Sequence, residues 1–65
     1  MMIEPGWYEL RIIYTDNSNS VCVDYQSIYC KDYDVLKRKF KSIEDDLTDR
    51  GGNNIKIQHK YAKEQ

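Results

Sequence analysis

The sequence predicts an α+β fold of ββαβ order: a three-stranded antiparallel sheet, spatial order 2-1-3, with one helix packed on one face. Three observations predict it. Between Asp32 and Arg50 the apolar residues Tyr33, Leu36, Phe40, Ile43 and Leu47 recur at helical spacing, a single stripe. Two alternating segments, Trp7–Tyr14 and Val21–Ile28, precede that stripe, and a third, Ile55–Tyr61, follows it. A helix that turns the chain back lets the third strand lie beside the first, which makes every pairing antiparallel. One domain, residues 1–65, accounts for the whole sequence.

Pro5-Gly6 punctuates the chain before the first strand. There Tyr8, Leu10, Ile12 and Tyr14 share one face, and Trp7, Glu9, Arg11, Ile13 and Thr15 share the other. Asp16-Asn17-Ser18-Asn19-Ser20 is a loop by composition, since Asn and Asp tolerate left-handed backbone and bond to it locally. The second strand is expected to turn Val21, Val23 and Tyr25 inward and Cys22, Asp24 and Gln26 outward, with Ser27–Lys31 as the connection to the helix. Asp32 is the expected N-cap. Asp34–Arg38 and Asp46–Arg50 are acid-first pairs at i,i+4, and Lys41 can meet Asp45. Gly51-Gly52 closes the helix, because glycine accepts the left-handed position that follows a last turn. In the third strand Ile55, Ile57 and His59 point inward and Lys56, Gln58 and Lys60 outward, and the tail Ala62–Gln65 is expected to fray.

At 65 residues the chain is near the lower limit of independent stability. Two cysteines and one histidine offer no strong disulfide or metal framework, which leaves oligomerisation as the remedy. Cys22 and Cys30 match no redox or zinc spacing and are read as reduced. Ten basic residues against eleven acidic ones, a formal charge of −1, argue against a dedicated nucleic-acid binder. Met1–Gly6 lacks the basic and apolar regions of a signal peptide, and no stretch is long enough to span a bilayer, so a cytoplasmic protein is expected.

No residue constellation carries catalysis. His59 has no ligand-spaced companion, the serines have no glycine elbow, and Gly51-Gly52 follows a helix instead of opening one. No cofactor is expected. Lys37-Arg38-Lys39-Phe40-Lys41 places its cations around most of the helix circumference, a solvated and partly paired surface. Tyr33 is the more informative residue: it opens the apolar stripe where the core is thinnest, and tyrosine is enriched at interface hot spots.

Asp32-Tyr33-Asp34-Val35-Leu36 resembles the acid-aromatic-acid-Val-Leu pentad at the helix start of the small dimeric uracil-DNA glycosylase inhibitors made by podoviruses of Bacillus. Trp7-Tyr8-Glu9-Leu10 is similar to their first strand, and Asp24-Tyr25 to an acidic-aromatic step in their second. The likeness covers about residues 7–40. It implies a phage-encoded, non-enzymatic homodimer that acts in the host cytoplasm, mimics DNA and blocks the glycosylase's DNA-binding face. An apolar groove on the inhibitor would receive a leucine-bearing loop of the enzyme. The implied partner-binding residues are Asp24, Tyr33, Asp34 and Leu36, with Lys37 where the family carries a further aromatic. The rival readings are a phage inhibitor of another host defence enzyme, of the anti-CRISPR or anti-nuclease kind, and a small nucleic-acid-binding accessory protein.

Overall fold

The computed structural model describes residues 2–62. Strands β1 (Gly6–Thr15) and β2 (Val21–Cys30) precede helix α1 (Tyr33–Asp49), and β3 (Asn53–Ala62) follows it. The sheet has the order β2-β1-β3 with both pairings antiparallel, as the sequence predicts. The element lengths differ modestly from expectation: β2 runs on to Cys30 and absorbs most of the expected connection. Ala62 closes β3 opposite Trp7, and the rest of the expected fraying tail lies outside the described residues.

Each end of α1 is fixed by a local device. The Asp32 carboxylate accepts the Val35 N–H at 3.0 Å and satisfies one of the free amides of the first turn. At the other end the Gly51 N–H donates to the Thr48 carbonyl at 3.0 Å and the Gly52 N–H to the Leu47 carbonyl at 2.8 Å. That pair of bonds is a Schellman ending, and it requires the left-handed φ of 90° that Gly51 adopts. Glu44, Asp45, Asp46 and Asp49 crowd the negative end of the helix dipole, and the pairs Lys41–Asp45 and Arg50–Asp46 relieve part of that crowding. The expected Asp34–Arg38 ion pair is replaced by a bond from the Arg38 guanidinium to the Asp34 backbone carbonyl.

The core forms where α1 crosses the middle of the sheet. Tyr8, Leu10 and Ile12 of β1 and Cys30 of β2 are buried against Leu36, Ile43 and Leu47. Ile55 and Ile57 of β3 pack on its flank. Rings extend the contact along β3: His59 sits 5.6 Å from Phe40 and 6.2 Å from Tyr8, centroid to centroid, and Tyr61 lies 5.2 Å from Tyr8. The Tyr8 hydroxyl donates to the Glu4 carbonyl at 2.7 Å and ties the N-terminal segment to the same layer.

One expectation is overturned. The pairing runs Thr15 to Val21, Ile13 to Val23 and Arg11 to Tyr25. Directly opposed residues share a face, so Val21, Val23 and Tyr25 lie on the side away from the helix, and Cys22, Asp24 and Gln26 lie on the helix side. The physical reason is parity. The loop 16–20 has five residues, so odd-numbered positions of β1 pair only with odd-numbered positions of β2. Asp24 and Gln26 remain exposed despite facing the helix layer, because the core that α1 buries lies over β1, the Cys30 end of β2 and β3.

The two cysteines share that helix side eight positions apart on one strand, about 26 Å, far beyond disulfide reach within a chain. A bulge interrupts the β1–β3 register between Ile13 and Thr15, where Asn54 takes a φ of 52°.

Candidate functional site

The predicted partner-binding residues separate into three groups. Tyr33, Asp34 and Lys37 occupy the first two turns of α1. Tyr33 is half-buried against the rim of the core, while Asp34 and Lys37 are exposed. The Lys37 ammonium nitrogen lies 6.0 Å from the centroid of the Tyr33 ring, within cation–π range. Asp34, Lys37, Arg38 and Lys41 surround a shallow depression on the outer side of the helix.

Leu36 does not belong to this surface. It is 0% exposed, a core residue on the buried stripe, and it supports the site only by anchoring the helix. The expectation that it touches a partner is corrected by its burial.

Asp24 stands apart from both. It pairs with Ile12, six positions along β2 from Cys30, about 20 Å from the strand end that leads into the helix start. Its electrostatic neighbours belong to the opposite end of α1. Burial pushes the Tyr14 phenol above its ordinary value, with Cys22 and the Asp24 charge adding to the shift and Arg50 opposing it. The Arg50 guanidinium is held more firmly charged by Asp46 first, with smaller contributions from Tyr14 and Asp24. Asp24 therefore joins a cluster at the helix C-terminus, and the structure does not bring it to Tyr33 and Asp34.

Two surfaces escaped the sequence reading. The first is a groove of about 380 Å³ between β2 and α1, with Ile28, Tyr29 and Val35 among its walls and Arg38, Lys39 and Ser42 completing the lining. Half-buried Ile28 and Val35 give it an apolar floor under a cationic rim. The helical spacing of Val35, Arg38, Lys39 and Ser42 is a sequence signal for one such flank.

The second is the open face of the sheet, built in cross-strand rows. Tyr29, Trp7 and Ala62 form one row; Ser27, Glu9 and Lys60 the next. Tyr25, Arg11 and Gln58 form the central row, followed by Val23, Ile13 and Lys56. Column by column, β2 contributes Tyr29, Ser27, Tyr25 and Val23, and β3 contributes Ala62, Lys60, Gln58 and Lys56. The Trp7 and Tyr29 rings meet edge to face at 5.9 Å. Tyr25 is 71% exposed, Tyr29 55% and Trp7 49%, so this face carries three large uncovered rings, with the polar row Ser27, Glu9 and Lys60 between Tyr25 and the Trp7–Tyr29 pair. The parity of the loop 16–20 is the signal that would have placed this column correctly.

Among the described residues no group of three or more His, Cys, Asp or Glu side chains could hold a metal ion. No helix of the described residues is long and apolar enough to cross a membrane. What the arrangement offers is docking surfaces: a polar aromatic helix end, an apolar groove and an aromatic-cationic sheet face.

Comparison with known proteins finds no matching family model, no matching curated protein and no matching solved structure.

Proposed function

We propose that this protein is a phage-encoded inhibitor that docks on a host uracil-DNA glycosylase and blocks its DNA-binding face by DNA mimicry. It acts as a homodimer and without catalysis. The observation that carries this reading is the presentation of the pentad Asp32–Leu36. Asp32 caps the helix, Leu36 anchors it in the core, and half-buried Tyr33 and exposed Asp34 form an aromatic-acid pair beside it. The groove beside Val35 supports the same reading. It is shallow and open, and its apolar floor offers a surface that an aliphatic side chain of a partner can cover, the kind of contact that the family resemblance implies.

Excision of uracil from a labelled oligonucleotide by a bacterial glycosylase tests the proposal. Cleavage is expected to stop near a fixed molar ratio of this protein to enzyme. Undiminished cleavage at large excess, with enzymes from several Bacillus-like hosts, overturns it in favour of a different host target such as a defence nuclease.

A further inference from the structure

We infer that the open face of the sheet binds a single-stranded polynucleotide, with bases stacked on the β2 column and phosphates held along the β3 column. This goes beyond glycosylase inhibition and uses a different surface, on the side of the sheet away from α1. The near-neutral charge of the whole chain conceals a segregation. Among the described residues the open face carries Arg11, Lys56 and Lys60 against one carboxylate, Glu9. Among the described residues the ion pairs are Lys41–Asp45 and Arg50–Asp46, both on the helix side, so none of these three cations is committed to a carboxylate. Arg11 has one side-chain bond among the described residues, of 3.4 Å to the Gln58 side chain.

The two columns flank β1 on either side and run in the same direction with the same repeat. Tyr25 and Tyr29 are four positions apart on β2, and Lys56 and Lys60 are four positions apart on β3. Both intervals are about 13 Å along a strand. Between the columns a depression of about 340 Å³ is lined by Glu9, Arg11, Tyr25, Gln58 and Lys60. It offers donors and acceptors within the same footprint as an exposed ring. Exposed aromatics beside a cationic track are what a strand with unpaired bases requires. A duplex buries its base faces and leaves the aromatic column unused.

A second copy of this chain is the weaker occupant. Arg11 sits in the central row of the middle strand, so face-to-face packing about a twofold axis through that row would bring two desolvated guanidinium groups together. A polyanion meets the same cation with its complement.

Trp7 is the chain's one tryptophan and stands on this face, so its fluorescence reports binding directly. Titration of the full chain with a short oligothymidylate at low salt should quench Trp7 saturably. The logarithm of affinity should fall against the logarithm of salt with a slope of about −2, as three phosphate contacts on a single strand require. The double variant Lys56→Gln/Lys60→Gln should flatten that slope by about 1.4. Tyr25→Ala, at a position too exposed to threaten the fold, should weaken binding at least about tenfold.

An absent or salt-insensitive quench overturns the inference. So does equal affinity for a duplex of the same length, or loss of binding with Lys37→Gln/Lys41→Gln on the helix in place of the sheet variants. Oligonucleotide affinity that falls as protein concentration rises, the mark of self-association competing for the same face, assigns the face to a second copy and overturns it as well.

Discussion

The Lys37 ammonium and the Tyr33 ring hold one another at 6.0 Å across one turn at the start of α1, so the aromatic singled out for a partner is also part of a local contact. Tyr33 is half-buried against the core while its flank stays open. It therefore serves both the fold and the docking surface, and the two contributions are separable by measurement.

Tyr33→Ala should lower stability by about 2 kcal/mol, less than the loss from truncating a fully buried aromatic. It should also cost at least about 2 kcal/mol of binding to the partner, roughly thirtyfold in affinity. Asp34→Ala, at an exposed position of the first turn, should cost only about 0.3–1 kcal/mol of stability. Thermal melts of both variants beside titrations against glycosylase decide the matter. A melt that collapses with Tyr33→Ala while affinity per folded molecule is unchanged would make the ring purely structural.

Acid should loosen the hairpin through Asp16. Its carboxylate accepts N–H bonds from Ser20 and Ser18, each at 2.9 Å, and a hydroxyl bond from Ser18. The Ser20 backbone bond foremost, then the Ser18 hydroxyl, hold the carboxyl below its ordinary 3.8. A depressed folded value means that the stabilisation is complete above the unfolded value and is lost as pH falls through the folded one. Melting temperature should therefore drop on acidification below about pH 4, and Asp16→Ala should flatten that limb. An unchanged acid limb in the variant would assign the acid sensitivity to other carboxylates.

The homodimer in the proposed function has a structural motive at the edges of the sheet. β3 carries Lys56, Lys60 and a bulge at Asn54, devices that discourage pairing with another strand. β2 is a ten-residue edge with neither lysine nor proline. Joining two β2 edges would leave both open faces accessible. Sedimentation equilibrium at micromolar concentration should return twice the chain mass of 7.8 kDa. A folded species at the single-chain mass would remove both the dimer and part of the case for the glycosylase target.

Most of the fold was legible because its signals are local and redundant. The stripe Tyr33–Leu47, the Asp32 cap and the Gly51-Gly52 ending each mark the same helix, and alternation alone marks β1 and β3. The face of β2 was not legible from hydrophobicity. Val21, Val23 and Tyr25 look like core residues, yet the register that the loop 16–20 imposes sends them to the uncovered side. The candidate site fared similarly. Of the helix-end residues, Asp34 and Lys37 are exposed and Tyr33 is half-buried, whereas Leu36 went to the core. Asp24 could not be excluded from the set by sequence distance, because only the register reveals that it faces Tyr14 and the helix C-terminus.

The inverted face makes a prediction that separates it from the hydrophobicity-based assignment. If Val23 and Tyr25 filled a core, replacing either by serine would bury a hydroxyl and open a cavity, at a cost of several kcal/mol. On the uncovered side, where both are exposed, Val23→Ser and Tyr25→Ser lose only cross-strand contacts and strand propensity. Each should cost within about 1 kcal/mol. Leu36→Ala is the calibrating comparison. That side chain is wholly buried, and its truncation should cost about 3 kcal/mol, a large fraction of the stability of a domain this small. Urea melts of the three variants give the order directly. Losses in Val23→Ser and Tyr25→Ser as large as that in Leu36→Ala would mean that the naked face is covered in solution.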